Sequence, residues 1–234
     1  FIRMRKYKLK MNPLKCAFDV QAGNFLGFLV NQRGIEVDRH KAKAIMELRP
    51  PESQKQLQMI LGKINFLRRF IANLSRKIEP MSQLLRLKDK DMFVWGEKQQ
   101  EAFDTIKNYL IKPPVLASPK LGKPVKLYIL AADNTIGSML AQENDEGKEQ
   151  AVYYLSRTLT DVEKRYTALE RLCLSLYFAS AKLRHYLLPT TVHVLAKTDV
   201  RKYMLSRPII KGRVAKWAFI LSEFDLVYVP LKAM

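Results

Sequence analysis

The side chains best suited to chemistry in this chain are its cations. Arg68 and Arg69 stand together in Phe66-Leu67-Arg68-Arg69-Phe70, between apolar residues that repeat at helical spacing. A guanidinium is a planar fork of donors that grips phosphate bidentately, so this pattern points to a polyanion. With the apolar stripe turned to a core, both guanidinium groups are expected to face outward. Replacing the pair should then lower the salt dependence of duplex binding by about two charges. Metal and nucleophile chemistry finds less support. His40, His185 and His193 have no Cys or His at metal spacing. Cys16 and Cys173 read as free thiols, too few for a disulfide framework or a four-cysteine zinc site. Gly23, Gly27 and Gly34 suit hairpin bends better than a phosphate loop. Trp95 reads as packed, and Trp217 reads as core together with Phe219 and Leu221.

Charge leads to the same partner. Lys and Arg number 41 against 22 Asp and Glu in 234 residues, a formal net charge of +19. Residues 1–118 carry 23 basic and 11 acidic residues, and the remainder carry 18 and 11. The surplus concentrates in three windows, Arg3 to Lys15, Lys63 to Lys90 and Lys197 to Lys216. Aromatic and apolar residues interleave with these charges, so they belong to folded surfaces rather than a basic tail. Nucleic acid is the most economical partner, because phosphate contacts release condensed counterions. Hydrophobic residues make up 48% of the chain, enough for a packed core and too many for general disorder. No apolar run approaches the roughly 20 residues of a membrane span, and the first residues lack the order of a signal peptide. The chain opens on Phe1 in mid-pattern and reads as an excised fragment.

The elements that must position these groups can be read in order. Phe18 to Val37 is a β-hairpin, with a strand over Asn24 to Val30, turn chemistry at Asn31-Gln32-Arg33-Gly34 and a return at Ile35 to Val37. Asp38 caps a short helix that ends before Pro50-Pro51. Ser53 and Gln56 form a capping box for a helix whose stripe is Leu57, Ile60, Leu61, Ile64, Leu67 and Ile71. Pro80 opens a further turn. A later helix aligns Ala102, Phe103, Ile106 and Leu110 before Pro113-Pro114. Three strands follow over Val125 to Ala131, Ile136 to Gln142 and Ala151 to Arg157. A long helix runs from Asp161 to about Leu187, then come a strand (Val192 to Ala196), a short helix (Asp199 to Leu205), a helix (Gly212 to Phe224) and a last strand (Asp225 to Val229). The fold class is mixed α/β. It comprises a small hairpin and a helical region, then a mixed sheet with flanking helices.

Several stretches together resemble the Pol polyprotein of gypsy-type long-terminal-repeat retrotransposons. Leu9 to Phe18 is similar to that family's LKLNPxKCxF stretch. Phe25 to Val30 with Arg33-Gly34-Ile35 resembles its primer-grip hairpin, and Gly62 to Ile71 its thumb helix. Phe93-Val94-Trp95, Ala102-Phe103, Ile106-Lys107 and Pro114-Val115-Leu116 resemble the connector. Tyr153 to Arg157, Glu163 to Tyr166 and His185 to Leu187 resemble the RNase H-like domain. The resemblance implies three parts. Residues 1–37 are the end of the reverse transcriptase palm, 38–118 the thumb and connector, and 119–234 an RNase H-like domain lacking its last part. It implies an RNA–DNA hybrid or DNA duplex as partner, held without sequence specificity. Phe25, Leu26, Gly27, Lys63, Arg68, Arg69, Arg76 and Lys77 would make the contacts. The remainder of the polyprotein is the other partner, no membrane is involved, and the location is the cytoplasm within virus-like particles, or the nucleus.

Two activities of the family depend on carboxylates. The polymerase uses an aspartate pair in Tyr-x-Asp-Asp, which is not in this chain and which the family places before residue 1. The nuclease holds two Mg²⁺ ions, roughly 4 Å apart, between converging carboxylates. In the resemblance the first falls on Leu130, the second on Leu172 and the third on Asp199, with the fourth beyond Met234. Asp133 lies about 10 Å along a strand from Leu130 and on its other face. Glu170 is rotated by about 200° from Leu172. The expectation is a degenerate domain without metal or cofactor, in which Asp199 is the one matching carboxylate and serves as a helix cap. The alternative is a Mg²⁺-dependent ribonuclease H using Asp133, Glu170 and Asp199. Leu226 to Met234 is similar to the junction in plant elements that carry a second, acquired RNase H, where the first domain is a tether.

Overall fold

A computed structural model describes residues 1–16, 18–87, 92–206 and 212–231. Ala17, the basic residues Lys88, Lys90, Arg207 and Lys211 of the expected charge windows, and the closing Lys232-Ala233-Met234 lie outside the described residues. A basic helix, α1 (Ile2–Lys6), and a 3-10 turn at Pro13–Lys15 lead into three antiparallel strands, β1 (Ala22–Phe25), β2 (Phe28–Asn31) and β3 (Gly34–Val37). The expected hairpin is therefore a meander. The stretch Asn24 to Val30, read as one strand, folds back at Leu26-Gly27, where φ is 51° and 81°. Two consecutive left-handed residues give the tight turn whose twist suits its flanking strands. Leu rarely adopts that conformation, so only Gly27 marked the turn in the sequence. The second turn is as expected, with Asn31 Oδ1 accepting from the backbone N–H of Arg33 and of Gly34.

The helical region packs on this meander. Asp38 caps α2 (Arg39–Met46) by accepting from the His40 N–H. Ser53 caps α3 (Gln54–Phe66), but the Gln56 side chain accepts from Glu52 N–H rather than closing the box on Ser53. The stripe expected to run through Ile71 does not stay on one helix. α3 stops at Phe66, and a 3-10 turn at Arg68–Phe70 brings Phe70 and Ile71 into the core beside Leu67. Then come α4 (Leu74–Lys77), α5 (Glu79–Gln83), a 3-10 turn at Leu84–Arg86 and α6 (Glu97–Ile111). α6 buries Ala102, Phe103, Ile106 and Leu110, as their spacing predicts. These helices share a core with Val37 and Leu116. Trp95 packs edge-on to Phe103 and donates to Gln100.

A second core lies under a five-stranded sheet. β4 (Val125–Ala131), β5 (Thr135–Glu143) and β6 (Glu149–Thr158) are antiparallel, and β7 (Val192–Ala196) and β8 (Leu226–Pro230) extend the sheet in parallel from β4. The order is β6-β5-β4-β7-β8. The single helix expected over Asp161 to Leu187 is three: α7 (Asp161–Lys164), α8 (Ala168–Lys182) and α9 (Arg184–Leu187). Thr160 with Glu163 and Thr167 with Glu170 each close a capping box, and the second interrupts what the apolar pattern joins. α10 (Val200–Ser206) and α11 (Arg213–Leu221) complete the layer. Trp217 and Leu221 are buried, whereas Phe219, two residues and thus about 200° around α11 from Trp217, is 77% exposed and not core.

Alternation along β4 sends Val125, Leu127 and Ile129 into the core shared with α8. Lys126, Tyr128 and Leu130 occupy the opposite face. The helical region reaches the sheet through Ser75, whose N–H donates to Ser156 Oγ (3.0 Å), and through Asn134, which donates to Glu79 (3.0 Å). Ile35 and Leu116 exchange backbone hydrogen bonds in both directions, at 2.7 and 2.9 Å. Gly34 has φ of 135°, and a Cβ there would collide with the Leu116 carbonyl oxygen. Gly147 also has positive φ but faces open space. Gly34→Ala is expected to cost more than about 2 kcal/mol, and Gly147→Ala about 1 kcal/mol. Urea unfolding midpoints of the two variants check this, and equal midpoints would remove the contact with Leu116 as a constraint.

Candidate nucleic-acid interface

The expected binding residues fall into two groups with different surroundings. Phe25 and Leu26, at the tip of the first turn, are 67% and 75% exposed. Behind them, Phe28 stacks flat on Phe66 of α3, with ring centroids 5.0 Å apart and planes within 6°. Gly27 is pressed against the same ring, and a Cβ there would meet Phe66 Cζ at 2.9 Å. Lys63 is exposed one helical turn before Phe66, and the Lys41 side chain also approaches Gly27. The tip, Lys41 and Lys63 thus make a ridge of apolar and cationic groups. Sequence reasoning missed Lys41, whose signal was its place among Arg39 and Lys43 on a short basic helix.

Arg69 does not face outward as expected. Its guanidinium lies 4.9 Å from the Tyr153 ring centroid and 5.9 Å from those of Phe28 and Phe70, and its Nε is buried without a hydrogen-bond partner. The physical reason is the end of α3: the 3-10 turn rotates Arg69 from the solvent side toward β6. Arg69 therefore joins the meander, the helical region and the sheet. Lys77 is also turned inward. Its Nζ donates to the Ala72 carbonyl (2.9 Å) and sits over the Tyr109 ring, and burial pushes its pKa down. Arg68 is half-buried and Arg76 exposed. A groove of about 850 Å³ between α2, the second turn and the end of α6 adds Arg33, Arg39, Lys43 and Lys112, against the acids Glu36 and Glu47.

The three carboxylates of the alternative nuclease site, Asp133, Glu170 and Asp199, each have partners of their own. Leu130 is 59% exposed on the face of β4 that turns away from α8. Leu172 packs against the core beneath the sheet. Asp133 accepts from Arg171 Nη1 (2.9 Å). Glu170 accepts from Thr167 through Oε2 and from Arg213 Nη2 through Oε1 (3.1 Å). Burial pushes the Glu170 carboxyl up, but the Thr167 N–H and Arg213 outweigh it and hold it below its ordinary value. Asp199 Oδ1 accepts from the Lys202 N–H and caps α10. Among the described residues no three His, Cys, Asp or Glu side chains gather as a metal-binding group. The residues present therefore do not fit a pair of divalent ions.

Glu163 shows what an arginine does to a carboxyl in this domain. Arg157 grips it bidentately at 2.7 and 2.9 Å, and this pairing, helped by the Thr160 N–H, holds its pKa down to about 2 against the opposing effect of burial. The same Arg157 guanidinium lies 5.1 Å from the Phe178 ring centroid.

Residues 95–194 match the family of RNase H-like domains found in reverse transcriptase. Over 229 residues the chain is 28% identical to the Transposon Tf2-3 and Tf2-4 polyproteins of Schizosaccharomyces pombe. Those matches cover 95% of this chain and 17% of each polyprotein, so the chain spans a small part of the length of these relatives. Among solved structures it is similar to foamy viral protease-reverse transcriptase in complex with dsDNA, with a TM-score of 0.75 and 22% identity over 92% of this chain and 46% of that one. The same enzyme in complex with an RNA/DNA hybrid gives a TM-score of 0.77 and 23% identity, over 94% of this chain and 30% of that one. The structural likeness shows a shared fold.

Two outcomes follow for this region. Arg69→Ala should destabilise the protein by about 1–2 kcal/mol, through lost packing on three rings, whereas Arg68→Ala should change stability by less than about 0.5 kcal/mol. Equal denaturation midpoints for the two variants would place Arg69 back on the surface. Glu163 titrates lower in the folded chain than its ordinary 4.5. Its contribution to stability is thus complete above about pH 4.5 and is lost as pH falls toward 2. The difference in stability between wild type and Glu163→Gln should shrink over that window, as followed by denaturation at stepped pH.

Proposed function

We propose that this chain is a duplex-holding segment of a gypsy-type retrotransposon polyprotein, whose RNase H-like domain binds and tethers without cutting. The observation that carries this reading is the state of the acidic groups near the ends of β4 and β7. Two are paired with arginines and one caps a helix, while Leu130 and Leu172 stand where the resemblance puts ligands. On this reading residues 1–37 present the hairpin tip, 38–118 the thumb and connector, and 119–234 the tether. No Mg²⁺ or other cofactor is required, and the rest of the polyprotein is the covalent partner. The reading extends to plant elements that carry a second RNase H, and to virus-like particles in the cytoplasm or the nucleus as its place of action.

The ligand is an RNA–DNA hybrid or a DNA duplex, recognised by shape and charge. The formal charge of +19 supports a polyanion, and the ridge of Phe25, Leu26, Lys41 and Lys63 offers apolar and cationic contact together. The foamy viral enzyme, with the same fold, is seen with both kinds of duplex. Of the expected cationic contacts, Lys63 and Arg76 are exposed, and Arg68, Arg69 and Lys77 are half-buried, the last two with their charges laid over the Tyr153 and Tyr109 rings. Arg69 and Lys77 position the surface from behind. Among the described residues no helix is long and apolar enough to cross a membrane.

Fluorescence anisotropy with short duplexes tests this. Duplexes of unrelated sequence should bind with affinities within about threefold, and the joint change Lys63→Ala with Arg76→Ala should reduce the salt slope by about two charges. Arg68→Ala with Arg69→Ala should remove only about one charge, because one of the two faces inward. Strong preference for one sequence, or slopes that stay unchanged, would reject the surface. Incubation with an RNA–DNA hybrid and Mg²⁺ should give no cleavage. Cleavage lost in Asp199→Asn would instead establish a ribonuclease H.

A further inference from the structure

The groove between α2, the second turn of the meander and the end of α6 is separate from the ridge at the tip. Arg39, Ala42, Lys43, Met46 and Glu47 line one wall, spaced as the residues of a single helix face. Lys41, the residue of α2 that approaches Gly27, is two positions and so about 200° from both Arg39 and Lys43. Groove and ridge therefore lie on opposite sides of one helix, and a ligand held on one side does not fill the other.

The groove has an apolar floor and a cationic rim. Val37, Ala42 and Leu110 are buried members of the core under the helical region, so the floor is fixed before any ligand arrives. Above it Met46 is half-buried, and Val115 and Ile111 are 38% and 70% exposed, apolar surface that the fold leaves uncovered. The space of about 850 Å³ falls within the range of roughly 300–1,000 Å³ typical of ligand clefts. Four cations and two acids line it, an excess of two positive charges. Glu36 pairs with Arg33 (2.8 Å) and Glu47 with Lys43 (3.6 Å), while among the described residues Arg39 and Lys112 have no ion pair.

An occupant must bring apolar groups to the floor and negative charge to the rim. A nucleic-acid strand fits this poorly. None of the lining residues is aromatic, so bases find no ring to stack on, and Glu36 and Glu47 oppose phosphates. A second copy of the chain carries +19 itself and is repelled. Addition of an extended strand is closed off as well, because Ile35 on the free edge of β3 already exchanges backbone hydrogen bonds with Leu116. We propose that the groove docks an acidic amphipathic helix of a partner protein, with its apolar stripe on Met46, Ile111 and Val115 and its carboxylates on Arg39 and Lys112. Met46, unbranched and polarisable, lets the wall adapt to the side chains it meets.

Fluorescence anisotropy on the whole chain is the test. The probe is a labelled helical peptide of about 18 residues, with leucines along one face and glutamates flanking them. Arg39→Gln with Lys112→Gln should weaken its binding about fivefold, and Ile111→Ser should do the same. Lys55→Gln with Lys98→Gln removes equal charge outside the groove and should change binding by less than about twofold. All five positions are exposed, so the fold is expected to be kept. Groove variants that match the distal pair, or a peptide with serines for leucines that binds as tightly, would reduce the contact to general charge attraction and overturn the proposal. So would a single-stranded oligonucleotide whose affinity falls more than the peptide's in the groove variants. A chain that takes the peptide but not the duplex sinks only the duplex-holding reading, and one that takes the duplex but not the peptide sinks only the groove.

Discussion

The alternation of β4 is the constraint on which the second half of the molecule depends. This strand is central in its sheet, paired with β5 on one edge and β7 on the other, so it cannot slip by one residue without breaking two ladders. Its register sends Val125, Leu127 and Ile129 to the core with α8 and commits Leu130 to the other face. An apolar residue at that position lies where a helical region and a sheet meet, lining a shallow cavity of about 320 Å³ with Asn73 and Tyr154. Leu130 thus offers an apolar, largely exposed side chain at this junction.

Arginine does in this protein what backbone geometry alone does not. Arg69, Arg157, Arg171 and Arg213 each reach from one element to another and rest on aromatic rings, carboxylates or carbonyls. A guanidinium is weakly hydrated and flat, so it can be partly buried against a ring or a carboxylate at lower cost than an ammonium. The consequence is a division of the basic surplus. Part of it is spent inside, holding α7, α8, α11 and the end of α3 in place. The rest, including Lys41, Lys63 and Arg76, stays in solvent where a polyanion can meet it. Formal charge alone does not separate the two.

The meander shows the same economy in aromatic form. Phe28 and Phe66 stack behind the exposed tip of Phe25 and Leu26, and Gly27 is small enough to let them meet. A tip with a stacked base behind it keeps its shape when a ligand presses on it, because moving it would separate two rings and pull Phe28 from Phe70. Rigidity at the tip and the arginine behind it belong to one arrangement, since the Arg69 guanidinium also lies 5.9 Å from the Phe28 ring centroid.

What the sequence by itself determined was local, or carried by an ordered set of motifs. The caps at Asp38 and Ser53 and the turn from Asn31 to Gly34 rest on contacts within a few residues, while the buried face of α6 and the three antiparallel strands declare themselves through the pattern of residue types along the chain. The apolar character of Leu130 and Leu172 was equally legible, because residue type needs no structure to be read. The tertiary structure alone decided how the charges that remain are used. Arg171 and Asp133 are 38 residues apart in sequence, and Arg213 and Glu170 are 43 apart. No periodicity links such pairs. Likewise the turn at Leu26, the end of α3 at Phe66 and the inward swing of Arg69 cost local strain or solvation. They exist because Phe66, Phe70 and Tyr153, distant along the chain, are packed where those side chains must go.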